Sequence, residues 1–126
     1  RSGPSVLISK PGLRVATDSS KDSKLSWEYQ KGNWSVNEGP ESLISPTGNV
    51  YVIYSGAFSQ YPEYCLGRLK LKTPTSDPMI PSNWEKSLDP VFISSPGTHP
   101  NNGIYGTGHN SFTKSSDGKK NYIVYL

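Results

Sequence analysis

The sequence predicts an all-β fold, and three observations carry that expectation. Short runs of β-branched and aromatic residues recur between turn signals, and no segment sustains a helical period. Gly (12), Pro (11) and Tyr (8) are plentiful within 126 residues, while the apolar share is 33%, a composition suited to many short strands and turns. The runs are, in order, SVLIS (5–9), ESLIS (41–45), NVYVIYSG (49–56), YCLGRLKLK (64–72), PVFISS (90–95), NSFTK (110–114) and NYIVYL (121–126). Between them lie PTGN, SSDGKKN and Pro-rich loops, the punctuation of antiparallel hairpins.

An internal repeat organises these runs. GPESLISPTGNVYVIY (39–54) aligns with GHNSFTKSSDGKKNYIVY (108–125), offset by 69 residues at the first strand and 71 at the second because the later turn is two residues longer. A second echo pairs LISKPG (7–12) with FISSPG (92–97). The order is then a last strand, four strands, and the first two strands of a next unit. Four antiparallel strands per repeat is the signature of a β-propeller blade, so the expected architecture is a propeller fragment: one complete blade and parts of two neighbours. Residues 1–126 form part of a single domain whose other blades lie elsewhere, since a ring needs at least four.

Composition sets limits on function. Thirteen basic and ten acidic residues give a formal charge of +3, with the basic residues scattered, which argues against nucleic acid. The one cysteine, Cys65, cannot form an intrachain disulfide, and no Cys/His cluster suggests structural zinc. Its plain reading is a small residue packed in a strand. No apolar run is long enough to span a bilayer, so no membrane partner is expected. The N-terminus RSGPSVLISK lacks an initiator Met and a signal-peptide core, and reads as internal or processed. The tripeptide NWS (33–35) fits the N-glycosylation acceptor pattern, which matters for a secreted protein.

The first strand of each propeller blade lines the central channel, so residues at its start face a shared funnel. Glu38 and His109 occupy nearly corresponding places at the starts of successive first strands. On position alone, Glu38 and Glu41 of NEGPE are both candidates for a catalytic acid, against the plainer alternatives of a solvated carboxylate and an ordinary packing histidine. Trp27, Tyr29, Trp34, Phe58, Tyr61 and Tyr105 lie in or beside the loops that would ring the funnel. Most should pack between blades, with Tyr105 and Phe58 favoured as the exceptions that face the funnel.

NEGPE followed by a strand and YSG, then YCLGRLKL, DPMIPSNWEKSLDPVF and GIYGTGHNSFTKSSDGKKNYIVYL, resembles glycoside hydrolase family 43, whose members are five-bladed propeller arabinofuranosidases, xylosidases and arabinanases. The likeness is nearest to the arabinofuranosidase or exo-arabinanase branch and runs over almost the whole chain from Val36 onward. It implies a secreted, inverting glycosidase of arabinose- or xylose-containing plant polysaccharide, using an aspartate base, a tuning aspartate and a glutamate acid. The family's acid sits in the EGP motif, which maps it to Glu38; Glu41 is then a polar blade residue. A glycosidase acid must hold its proton near neutral pH and stand roughly 6.5–9.5 Å from the base of an inverting pair. The resemblance also gives His109 a place beneath the sugar, helping to hold a calcium or sodium ion at the propeller axis. Asn110 and Ser111 are expected to fix the strand start by hydrogen bonds. The base and tuning aspartates belong to earlier blades, and Asp18, Asp22, Asp77, Asp89 and Asp117 lack the matching flanks. The segment is therefore expected to carry the acid without its partners and to be inactive alone. The rival reading is a non-catalytic carbohydrate-binding fragment in which Glu38 only hydrogen-bonds sugar hydroxyls.

Overall fold

Two turns of matching chemistry set the frame. In the first, Ser45 Oγ accepts from the Asn49 amide at 3.0 Å; in the second, Ser115 Oγ accepts from the Lys120 amide at 2.9 Å. The Gly48 and Gly118 amides return to the Ser45 and Ser115 carbonyls, and both glycines take left-handed φ values, 82° and 70°. The repeat seen in the sequence is thus a repeat of hairpins.

The computed structural model describes residues 3–29, 35–95 and 103–126. Strands β1 (Asn37–Ile44), β2 (Val50–Gly56), β3 (Cys65–Leu71) and β4 (Trp84–Lys86) make one antiparallel sheet in the order β1-β2-β3-β4. Strands β5 (Ser111–Lys114) and β6 (Asn121–Val124) pair as a separate antiparallel hairpin. The fold is all-β: a complete four-stranded propeller blade followed by the first two strands of another.

Alternation builds the core. Val52 and Tyr54 of β2 lie on the same sheet face as Leu69 and Leu71 of β3, since side chains two apart share a face. Tyr54, Leu69, Leu71 and Trp84 form a buried cluster against which Ile8, Trp27, Val50 and Val52 pack. Burying each leucine contributes roughly 1.5–3 kcal/mol. Trp27 stacks on Tyr54 at 6.4 Å and donates from Nε1 to the Leu88 carbonyl at 2.8 Å, so it is a core residue and does not ring a funnel. Cys65 is buried in β3, as expected, and burial pushes its thiol up to about 12, with the charge of Glu28 adding to the effect.

The structure departs from the sequence expectation at several places. Residues 5–9 run as irregular chain, because no described strand pairs with them, although Ile8 still packs on the core. The first strand begins at Asn37, earlier than 41, through a bulge described below. The fourth strand is Trp84–Lys86, with Trp84 and Lys86 buried and Glu85 exposed; the expected run at 90–95 makes only an isolated bridge from Phe92 to Leu66. Pro90 has no N–H for a ladder, which suits a break in that edge. A short 3-10 segment, Ser23–Glu28, was not anticipated; Asp22 caps it by accepting from the Lys24 amide. The NWS tripeptide and Trp34 lie wholly or partly outside the described residues, as does the end of the second echo.

Candidate active site

Glu38 stands on β1 opposite Ser55 of β2, while Glu41 stands opposite Ile53. β1 therefore carries one residue more than β2 in this interval, and the extra residue makes a β-bulge. Gly39 takes φ +54°, the left-handed conformation that a side chain disfavours, and Pro40 lacks an N–H that an unpaired bulge position does not need. Each residue of Glu-Gly-Pro thus has a physical role: the bulge turns β1 and re-aims Glu38, whose side chain is exposed at the strand start. Glu41, beyond the bulge, is an ordinary half-buried strand residue.

The next first strand comes to the same place. His109 takes φ +49°, uncommon for a residue with a side chain, and donates its amide to Ser55 Oγ at 2.6 Å. A methyl group on Gly39 would lie 3.5 Å from His109 Nδ1 and 3.6 Å from Ser55 Oγ, so the starts of the two first strands touch. Thr107, fully buried, holds the approach to His109 by donating to the Phe92 carbonyl at 2.9 Å.

Tyr64 completes the cluster. Its side chain is fully buried, and its hydroxyl donates to Glu38 Oε1 at 2.7 Å. The Ser55 hydroxyl and the His109 backbone lie beside the phenol. Desolvation pushes Tyr64 up to about 12, so it remains a donor throughout the neutral range; the bond to Glu38 acts in the same direction and the Ser55 hydroxyl opposes it. The ring lies on Gly108, where a β-carbon would come within 2.0 Å of Tyr64 Cε1. Tyr64 and Ser55 were not singled out from the sequence. The YSG and YCLGRL motifs contain them, but their role depends on cross-strand register.

Glu38 and His109, paired on sequence grounds, are thus brought together, joined through Ser55 and Tyr64. Phe58 is half-buried in the loop that runs from β2 to Tyr64, and Tyr105 is 46% exposed on the loop leading to His109. Asn110 does not follow expectation: it is buried, and neither side-chain atom has a hydrogen-bond partner. Four of the five aspartates serve local turns. Asp18, Asp22, Asp77 and Asp117 accept from the amides of Val15, Lys24, Met79 and Lys119, and Asp22 also pairs with Arg14. No group of three or more His, Cys, Asp or Glu residues able to hold a metal occurs among the described residues.

An apolar cavity of about 260 Å³ borders Glu38, lined mainly by Leu7, Ile8, Val52, Tyr54 and Leu69. It is the packing gap between segment 6–9 and the sheet, and its apolar walls do not suit a sugar.

The sequence matches the family described as Glycosyl hydrolases family 43 over residues 6–126. The chain belongs to this family. It is 35% identical over 98% of its length to "Alpha-L-arabinofuranosidase 43" of Humicola insolens, and 43% identical over 80% of its length to the "Extracellular exo-alpha-(1->5)-L-arabinofuranosidase" of Streptomyces avermitilis. It spans about a fifth of the length of these curated relatives, 21% and 19% respectively. Among solved structures, a thermostable family-43 glycoside hydrolase superposes with a TM-score of 0.60 and 34% identity, covering 79% of this chain and 28% of that one. The structure titled an endo-1,4-beta-xylanase from Bacteroides thetaiotaomicron gives a TM-score of 0.53 at 31% identity, covering 74% of this chain and 28% of that one. No helix among the described residues is long and apolar enough to cross a membrane.

Proposed function

We propose that this family-43 segment supplies the general acid, Glu38, of an inverting glycosidase that cleaves arabinose- or xylose-containing plant polysaccharide, of α-L-arabinofuranosidase type. The observation that carries the reading is the bulged start of β1. Gly39 and Pro40 re-aim a carboxyl there, next to the start of the following first strand, with a phenol donor bound to it. The names of the curated relatives support the arabinofuranosidase assignment, and "extracellular" in the name of the Streptomyces protein supports secretion. A carboxyl so placed protonates the leaving glycosidic oxygen, while a carboxylate base on another blade activates water on the opposite face of the sugar. Phe58 and Tyr105, on loops that end at Tyr64 and His109, are the proposed sugar-stacking residues. His109 would offer at most one ligand to a calcium or sodium ion on the axis, and no catalytic step depends on it.

The test is leaving-group dependence in the full-length protein that contains this segment. Protonation matters most for a poor leaving group, so Glu38→Gln should lose about 10²- to 10⁴-fold in kcat/KM on the natural linkage. On a dinitrophenyl glycoside the loss should be clearly smaller. Equal losses, with circular dichroism unchanged, would return Glu38 to sugar binding and favour the carbohydrate-binding alternative. Glu41→Gln should cost little on either substrate; a larger defect there than at position 38 would mean that the acid is the other glutamate of NEGPE.

A further inference from the structure

Two hydrogen bonds meet at the start of β1 around Glu38. The His109 amide donates to Ser55 Oγ, and the Tyr64 phenol donates to Glu38 Oε1, the residue paired opposite Ser55. Ser55 and Tyr64 are both fully buried, so neither can exchange its partner for bulk water. The Tyr64 ring has no room to move towards Gly108, where even a β-carbon would overlap it. Glu38 itself is exposed, and Tyr64 is the fixed point that holds its carboxyl among the described residues.

We infer that Tyr64 is a positioning residue for Glu38, holding Oε1 as an acceptor so that Oε2 is the oxygen that carries and delivers the catalytic proton. The inference rests on the reading of Glu38 as the acid. A protonated carboxyl has one donor oxygen and one acceptor oxygen, and a buried phenol that can only donate towards it selects which is which. As the glycosidic C–O bond breaks, the Oε2 proton passes to the leaving oxygen and the carboxyl becomes a carboxylate. Water attacking the anomeric carbon gives its proton to the carboxylate base, which releases it to solvent while solvent reprotonates Glu38. The Tyr64 bond becomes charge-assisted during this step, and such bonds are roughly twice as strong as neutral ones. Tyr64 therefore stabilises the transition state more than the ground state, which is the condition for it to affect rate.

Tyr64→Phe keeps the ring on Gly108 and removes only the hydroxyl. In the full-length protein it should lower kcat/KM on the natural linkage by about 10- to 100-fold, the scale of a misplaced catalytic group. The dinitrophenyl glycoside should lose clearly less, because it needs little protonation. If Tyr64→Phe unfolds, Ser55→Ala leaves the phenol but removes the hydroxyl that holds the His109 amide beside it, and it should show the same split between substrates. Glu38→Gln is measured in parallel. A split for Glu38→Gln with equal losses, or none, for the folded Tyr64 or Ser55 variant would overturn the positioning role and leave the acid standing. No split for Glu38→Gln itself would remove the acid and the inference together.

Discussion

Glu28 and Lys86 are charged residues whose side chains expose no surface, and their Oε1 and Nζ atoms lie 2.8 Å apart. Every charge so placed needs partners, because an unpaired buried ion is strongly destabilising. Glu28 also accepts from the Tyr54 hydroxyl at 2.8 Å, the Asn37 amide group at 2.9 Å and the Gly12 N–H, while Lys86 also donates to the Lys10 carbonyl at 3.1 Å. Burial pulls the Lys86 ammonium below the usual lysine range, and the Glu28 carboxylate pulls it back up. The network ties segment 9–12 to the blade and fixes Asn37, the residue before Glu38. Lys86→Met, which strands Glu28, should cost about 3–5 kcal/mol in urea unfolding of the full-length protein. In a Glu28→Gln background the same change should cost less by at least about 1 kcal/mol, and additive costs would mean that the pair is not coupled. None of this was legible in the sequence, where Glu28 and Lys86 are 58 positions apart and look like surface charges. Glu38 was singled out because Glu-Gly-Pro is a short contiguous motif that the internal repeat places at the start of a first strand. Tyr64 and Ser55 were not, because only the pairing of β1 with β2 and the approach of His109 bring them to it.

Among the elements, the hairpins could be read in advance because a turn is local chemistry: Ser45 and Ser115, each followed three residues later by a glycine, close β1-β2 and β5-β6 alike. β4 could not, since three residues with a lysine facing inward carry no recognisable alternation, and its strand character comes from the Leu69–Leu71 edge that it pairs with. The bulge and the loop opposite it use glycine for different reasons, which gives a test. A methyl group at Gly39 meets its nearest atom at 3.5 Å, an ordinary contact, so Gly39→Ala should cost only the left-handed backbone penalty, about 1–2 kcal/mol. At Gly108 there is no positive φ to accommodate, but a β-carbon would overlap the buried Tyr64 ring. Gly108→Ala should cost about 1–3 kcal/mol through forced repacking and should also depress activity on the natural linkage, because the ring it displaces holds Glu38. Thermal unfolding of both variants, read with kcat/KM, checks the distinction. If Gly108→Ala left activity intact, the ring would not be the element that positions the acid.

At the scale of the molecule, one blade and a hairpin do not close a ring, and the consequences are both chemical and physical. On the reading of Glu38 as the acid, the segment offers a proton donor, whereas Asp18, Asp22, Asp77 and Asp117, four of its five aspartates, are engaged in their own turns. Inverting hydrolysis needs both carboxyl groups, so the isolated 126-residue chain should release no nitrophenol from aryl arabinofuranosides or xylosides. Release that Glu38→Gln abolishes would show that the chain contains a base of its own. The same chain should not remain monomeric. β6 is exposed along its whole length, with Tyr122 at 47% and Val124 at 57%, and Leu126 beyond it at 72%. β6 pairs only with β5 among the described strands, so its far side presents unpaired backbone N–H and C=O groups flanked by apolar side chains. Such an edge is a template for another strand, and natural sheets blunt it with charge, proline or a covering element, none of which interrupts Tyr122 to Leu126. Light scattering on the purified segment should therefore show oligomers that grow with concentration. Replacing Ile123 or Val124 with Lys should shift the distribution towards monomer, because an edge lysine opposes pairing. A monodisperse monomer of the unmodified segment would mean that the β5-β6 hairpin folds back onto its own blade and covers the edge.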